Sequence, residues 1–347
     1  MEDKEKKDIV EAGYGKEIVD KYYKYMKNNM PIDKFMEKFH MSEVELRGLM
    51  ELAKLYGKKI SIQEKDGYMV FRKNQNYNNN LYTKAGPDDD SLIETEILVV
   101  GDTHFGNNKQ QMHLLNWFYQ EAYNRGIDTV LHLGDMVDGN YLKIRPENGR
   151  LLFLHDFDQQ AGYVADMYPE IDGMKTYYIL GSHDETHYKN GGATLNNFLD
   201  RCRKDMVYLG QDTGSIEING VKYLLDHPGG GSSQSVSYKA QKRIEILESK
   251  HKPKVMLIGH YHKSYTFLYR NVFCVQNPAL CASTQFQQKQ GLLNYVGAHF
   301  IKVYSDKNGN IQYFEPEEIL FSGKDIWDEA GKDKNKVKKL DIKRGIY

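Results

Sequence analysis

Four short segments constrain this chain more than anything else in it: Gly101-Asp102-Thr103-His104, Gly134-Asp135-Met136-Val137-Asp138-Gly139, Gly181-Ser182-His183-Asp184 and Gly259-His260-Tyr261-His262. Each follows an apolar run that reads as a buried strand, so each puts Asp or His where the strand ends and a loop begins. His227 follows a similar run, Tyr223-Leu224-Leu225-Asp226. Strand ends of this kind can converge on one point. Mixed carboxylate and imidazole ligands there suit Mn²⁺, Fe or Zn²⁺, and a carboxylate such as Asp135 can bridge two ions. If His260-Tyr261-His262 is extended, alternation points both imidazoles the same way. Any one segment alone is weak, since Gly-Asp is common in turns and Asp135 with Asp138 could be an Asx pair. The joint occurrence points to a two-metal hydrolase.

The rhythm around these segments sets the fold class. Strands are expected over 96–100, 129–133 and 175–180, alternating with helices over 110–125, 156–168 and 194–202. Val-, Ile- and Leu-rich runs alternating with helices imply a buried, largely parallel sheet. From Met206 the strands shorten and Asn-Gly pairs mark the turns, which implies a second, mixed sheet packed on the first. The expectation is an α/β chain with two packed mixed sheets flanked by helices over 93–316.

The first third reads differently. Residues 1–29 read as a charged helix whose Tyr14, Tyr22, Tyr23 and Tyr25 form a packing stripe. In 30–74, Phe35 and Phe39 have helical spacing, Ser42 and Glu45 form a capping-box signature, and Val44, Leu46, Leu49, Met50, Leu52 and Leu55 give a second amphipathic helix. Two alternating runs flank Asp66-Gly67, a hairpin signal. Helix, turn, helix, hairpin resembles a winged helix-turn-helix, a module that implies nucleic-acid contact. The electrostatic footprint is weak and leaves a small protein-interaction domain as the alternative. Residues 75–92 read as a linker. Residues 317–347 read as a basic tail, with seven cations against two acids from Lys332 to Arg344.

Composition excludes several classes. The net charge of −1 gives no global basic field, so a nucleic-acid partner must be held by local patches. Cys202, Cys274 and Cys281, an odd number without a C-x-x-C pair, argue against a disulfide framework and for buried thiols in a reducing compartment. The N-terminus is charged, with no apolar stretch behind it and no membrane-length run in the chain, so a cytoplasmic protein with no membrane partner is expected.

In this order the segments resemble the calcineurin-like metallophosphoesterase superfamily, whose pattern is D-x-H, G-D-x-x-D, G-N-H-[DE], a lone His and G-H-x-H. The resemblance runs from about Glu96 to Phe314. It implies a four-layer α/β-β/α sandwich with two divalent ions, most simply Mn²⁺ with Fe, Zn²⁺ or Mg²⁺ as alternatives. It implies Asp102, His104 and His262 on the first ion, Asp135 as the bridge, and His227 and His260 on the second. His183, oriented by Asp184, would stabilise the transition state or protonate the leaving oxygen. One position departs: Ser182 stands where the family has a metal-ligating Asn, and is expected to ligate the second ion directly or through a water, or to leave that ion weakly held. Substrate contacts are expected from the loops, from Tyr141 and Arg145 after the second segment and from His187 and Lys189 after the third. With the winged-helix likeness and the basic tail, these loops favour a DNA exo- or endonuclease. A phosphatase or phosphodiesterase on nucleotides or small phosphoesters is the alternative, and a binding scaffold with a weakened site is a third. Nucleases of the superfamily are often dimers, so a homodimer is left open.

Overall fold

Ser42 and Glu45 begin a helix by capping each other. The Glu45 carboxylate accepts from the Ser42 N–H at 2.7 Å, and the Ser42 hydroxyl accepts from the Glu45 N–H at 3.3 Å. The computed structural model describes residues 15–27, 30–56, 58, 60–65, 68–73, 82–84, 92–141, 149–231, 235, 237–248, 252–292, 294–327 and 338–343. It divides into two units, Met1–Tyr77 and Asn78–Tyr347. The first holds helices α1 (Lys16–Tyr23), α2 (Ile32–Phe39) and α3 (Glu43–Leu55), then the antiparallel pair β1 (Ile60–Lys65) and β2 (Tyr68–Lys73). His40 ends α2 in the left-handed region, its N–H turned back to Glu37 and Met36. Val19, Phe35, Leu49 and Phe71 are buried in its core, and Tyr22, Tyr23 and Tyr25 pack half-buried against them. Tyr14, Asp66 and Gly67 lie outside the described residues; Lys65 pairs with Tyr68.

The second unit begins inside the expected linker, where β3 (Tyr82–Lys84) joins a sheet. In chain order follow β4 (Ile93–Val100), α4 (Met112–Asn124), β5 (Thr129–Leu133), α5 (Phe157–Met167), β6 (Glu170–Ile171), β7 (Lys175–Leu180), α6 (Glu185–Gly191), α7 (Leu195–Cys202), β8 (Met206–Gln211), β9 (Thr213–Ile218), β10 (Val221–Asp226), α8 (Tyr238–Ile246), β11 (Val255–Ile258), β12 (Tyr265–Tyr269), β13 (Val272–Gln276), α9 (Gln285–Lys289), β14 (Val296–Ser305), β15 (Ile311–Phe321) and β16 (Asp341–Ile342). One six-stranded sheet runs β15-β14-β4-β5-β7-β8 and another β12-β13-β11-β10-β9-β3. Both mix parallel and antiparallel pairs.

The side-chain period of two explains the layers. Ile97 and Val99 of β4 meet Tyr223 and Leu225 of β10 and Leu257 of β11 in a core between the sheets. Leu98 and Val100 of the same strand face α4, α5 and α7 on the other side. Met256 and Ile258 of β11 likewise face Ala240 and Ile244 of α8. The result is the expected α/β-β/α stack, with strand ends β4, β5, β7, β10 and β11 opening onto the same loops.

Two expectations need correction. β15 extends to Phe321, past the boundary at 316, and β16 pairs in parallel with β6 while Lys339 binds the Glu170 carboxylate. The described part of the supposed tail is therefore docked, because Leu340 and Ile342 have a core edge to cover. Cys202 is exposed, not buried.

His299, on β14, lies 1 % exposed in this core, its Nδ1 2.9 Å from Asn277 Oδ1. Burial pushes its pKa down to about 4. The folded value lies below the unfolded one, so the fold favours neutral imidazole. That contribution is complete above about pH 6.5 and is lost as pH falls toward 4, about 3 kcal/mol in all. In urea titrations the stability gap between the parent and His299→Asn should narrow by about that amount between pH 7 and pH 4. A gap that does not change with pH contradicts this.

Candidate metal centre

Asp102 and His104 follow β4, Asp135 follows β5, His227 follows β10, and His260 and His262 follow β11. Folding gathers them. Ligand atoms of Asp102, His104 and His262 lie within 4.8 Å of one another, as do those of Asp135, His227 and His260. The backbone is bent to do so. Of ten described non-glycine residues with positive φ, five are Asp102 (49°), His104 (46°), Asp135 (49°), His260 (74°) and His262 (53°). Left-handed backbone costs about 1 kcal/mol per residue, and such outliers cluster where function fixes the geometry.

The imidazoles are individually aimed. His227 Nδ1 is 2.7 Å from Leu133 O, His260 Nε2 is 2.8 Å from Gly230 O, and His262 Nδ1 is 2.6 Å from Asn294 Oδ1. Each ring therefore spends one nitrogen on an acceptor and turns the other toward the centre, the arrangement of ligating histidines. His104 Nε2 and His262 Nε2 face each other at 3.2 Å. His227 Nε2 stands 3.0 Å from Asp135 Oδ2 yet is buried without a hydrogen bond. Imidazole nitrogens and carboxylate oxygens crowded this closely are what a cation would satisfy, so these residues fit two divalent ions; without a cation, and against the cost of burial, the Asp135 charge pushes the His227 imidazole up to about 10, a proton standing in the cation's place.

Electrostatics agree. Burial works to raise the Asp135 carboxyl, but His227 and His183 beside it hold it well below the usual carboxylate range. Asp102 is likewise lowered, with His262 opposing the cost of burial. Both carboxylates are thus held in the ionised form that binds metal.

His183 lies across the cleft. Its N–H donates to Asp135 Oδ1 at 2.7 Å, and its Nδ1 meets Asp138 O at 2.7 Å, leaving Nε2 free. The expected orienting role of Asp184 is not what the structure shows. The buried Asp184 carboxylate accepts from the N–H groups of Met136, Val137 and Gly181, tying the second loop to the third. Its burial and the nearby Asp135 charge push its pKa up to about 7. The group on His183 is Asp138, whose carboxylate also stands 3.1 Å from His104 Nδ1. The spacing inside the second segment was the available signal for Asp138.

The substrate expectations divide. Tyr141 lines the cleft, with its ring 4.7 Å from that of His183 and its hydroxyl donating to Ser182 O at 3.3 Å. His187 is buried against Phe157 and donates to Gln160 Oε1, which also holds the Gly139 N–H, so it braces the loop and does not face the cleft. Lys189 is exposed and paired with Glu185 four residues back. Arg145 lies outside the described residues. Ser182 lines the cleft, half-buried. Ser182→Asn should tighten the weaker ion in a manganese titration; equal occupancy of two full sites before and after the change would count against it.

Sequence reasoning missed Asn294. From the loop after α9 it fixes His262, and its amide donates to Cys281 O at 3.1 Å. No pattern marks such a residue, because it lies 32 positions from its histidine. Loss of such a partner costs about 10- to 100-fold in metal affinity. Asn294→Leu should show that loss for one ion of the pair in calorimetric titration with manganese; unchanged affinity for both contradicts the assignment.

The cleft between these groups has a volume of about 760 Å³. Among the described residues no helix is long and apolar enough to cross a membrane. The family model for calcineurin-like phosphoesterases matches residues 95–302. An uncharacterized metallophosphoesterase of Helicobacter pylori is 24 % identical over 50 % of this chain and 46 % of its own length. The DNA polymerase II small subunit of Archaeoglobus fulgidus is 23 % identical over 56 % of this chain and 48 % of its own. The chain thus spans about half the length of the curated relatives it matches. A solved structure described as a novel archaeal phosphodiesterase is 18 % identical, covering 65 % of this chain and 100 % of that one at a TM-score of 0.37. An overlap that loose says nothing of substrate.

Proposed function

The chain belongs to the calcineurin-like phosphoesterase family, and from that premise we propose that it hydrolyses phosphodiester bonds in nucleic acid, DNA first, as an exo- or endonuclease. The observation that carries the hydrolytic part is the convergence of two aspartates and four histidines, most on left-handed backbone, into paired ligand sets. Two divalent ions, manganese in our reading, would be held there by Asp102, His104, Asp135, His227, His260 and His262, and would supply Lewis acidity and a more acidic water for phosphoester hydrolysis.

The chain's own residues do the rest. Asp102, His104 and His262 hold one side of the site, and Asp135, His227 and His260 the other. His183 donates its Nδ1–H to the carbonyl of Asp138, which aims Nε2 at the cleft, and the doubly protonated imidazolium is the form that gives a proton from Nε2 to the leaving oxygen. Tyr141, edge-on to His183, keeps that ring over the cleft.

Three features favour a nucleic-acid substrate. The cleft has room for more than a phosphate group. Two helices joined by a short turn and followed by a hairpin precede the hydrolytic unit, an order that resembles a winged helix-turn-helix. One relative carries a DNA polymerase subunit's name. The test is manganese-dependent cleavage across single- and double-stranded DNA, RNA and small phosphoesters, with His183→Ala as control. Cleavage of oligonucleotides by the parent alone is expected. Hydrolysis confined to small esters would replace the nuclease reading with a phosphatase, and no hydrolysis of any kind would leave a binding scaffold.

A further inference from the structure

In a helix-turn-helix the second helix is the element that ordinarily enters the groove. In the likeness of this unit to such a module that helix is α3, and the described side chains of its outward face are poorly suited to it. Glu43, Glu45, Arg47 and Glu51 are all exposed, with Val44 among them 79 % exposed. Arg47, the cation of this face among the described side chains, stands 3.8 Å from Glu43. Among the described side chains of this face, three carboxylates against one guanidinium disfavour a phosphate backbone, and the first turn, which would approach the bases, holds two of them.

The opposite charge sits elsewhere on the same unit. Lys21, Lys24 and Lys38 are exposed where α1 ends beside α2. Each is held over an aromatic ring: Lys21 Nζ is 5.2 Å from the Tyr22 centroid, Lys24 Nζ is 5.1 Å from that of Tyr25, and Lys38 Nζ is 4.9 Å from Tyr25. The rings are themselves joined, Tyr22 and Tyr25 lying 5.2 and 5.1 Å from Phe39. Two ammonium groups therefore share the Tyr25 ring, and a third sits one ring away. Cation–π contact restrains side chains that would otherwise sweep freely, so these charges are spaced before any ligand arrives. The rings are half-buried against the core of the unit, which fixes the platform.

We propose that this α1–α2 edge, not α3, is where the N-terminal unit binds nucleic acid, through backbone phosphates and without regard to sequence. The inference rests on the nuclease reading and gives it a surface. Charge favours the occupant: Lys16, Lys21, Lys24, Lys27, Lys34 and Lys38 outnumber Glu17, Asp20, Asp33 and Glu37 on and beside these two helices, and the three lysines held over aromatic rings match a row of phosphates better than the acidic described face of α3 does.

The test uses the full chain in EDTA, so that no cleavage occurs, and the fluorescence anisotropy of a labelled single-stranded 20-mer across a salt series. Each phosphate contact contributes a slope of about −0.7 in log K against log salt. The triple change Lys21→Gln, Lys24→Gln, Lys38→Gln should reduce the slope by about 2 and weaken binding at least 10-fold at low salt. The corresponding triple change to Arg should bind as the parent does, which separates lost charge from lost structure. Glu43→Gln with Glu51→Gln should bind no more weakly than the parent. Unchanged affinity and slope in the Gln triple, or loss of binding in the α3 pair, overturns the proposal. So does polyglutamate that displaces the 20-mer at equal charge concentration, since the edge would then fit acidic protein. A manganese-loaded parent that binds the 20-mer in this way yet cuts nothing sinks the nuclease reading and leaves the edge standing.

Discussion

His183→Ala should lower turnover about 10²- to 10⁴-fold while leaving both metal affinities unchanged. The range is that of a lost general acid. The ring is held at Nδ1 by Asp138 O, its free nitrogen faces the cleft, and His183 belongs to neither ligand triad built on Asp102 and Asp135. The link to Asp135 runs through the His183 backbone N–H, which alanine keeps. The loss should also depend on the leaving group. A nitrophenyl ester departs without needing a proton and should lose far less than an ester of an ordinary alcohol or ribose. Equal losses on both, or none on either, would remove His183 from the proton-donating role.

Gly181→Ala should be nearly as damaging by a different route. A Cβ at this position would strike Asp135 Oδ1 and stand 2.6 Å from His227 Nε2 and 2.7 Å from the Asp135 backbone N. Neither neighbour can retreat. Asp135 sits on left-handed backbone and accepts from the His183 N–H, and His227 is pinned by Leu133 O at 2.7 Å. Overpacking of this kind costs about 1–3 kcal/mol, and displacing groups at a reacting centre by 1 Å can cost about 10²-fold in rate. Manganese affinity and turnover should therefore fall together, by about 10²-fold or more in turnover, with a modest drop in melting temperature. The same neighbours explain Gly134, where a Cβ would lie 2.7 Å from His227 Nδ1. A Gly181→Ala chain with parental manganese affinity would show that the ligands are looser than drawn here.

The six candidate ligands could be read because they stand at strand ends, and at every one but His227, which directly follows Asp226, a glycine stopping an apolar run marks that end. The layers were legible for a similar reason: Ile97 and Val99 alternate with Leu98 and Val100, and both faces need cover. What escaped was set by tertiary contact. His187 looked like a loop residue but sits in the short helix α6, where its ring is needed to satisfy Gln160. Asp184 follows His183 in the chain, yet helix geometry turns its carboxylate back onto the Gly181 N–H and two amides of the second loop. Asn294 reaches His262 from a different loop, and local pattern does not encode that. The docking of 338–343 was hidden by its lysines, which mask the small apolar pair Leu340 and Ile342 that does the packing.

Asp102, His104, Asp135, His227, His260 and His262 are proposed to hold two ions at once. Elemental analysis of manganese on protein desalted after loading tests this most directly, with Asp135→Asn in parallel. Two ions per chain in the parent, and at most one in the variant, is the predicted result. No retained manganese in the parent, or the same count in both, would contradict it.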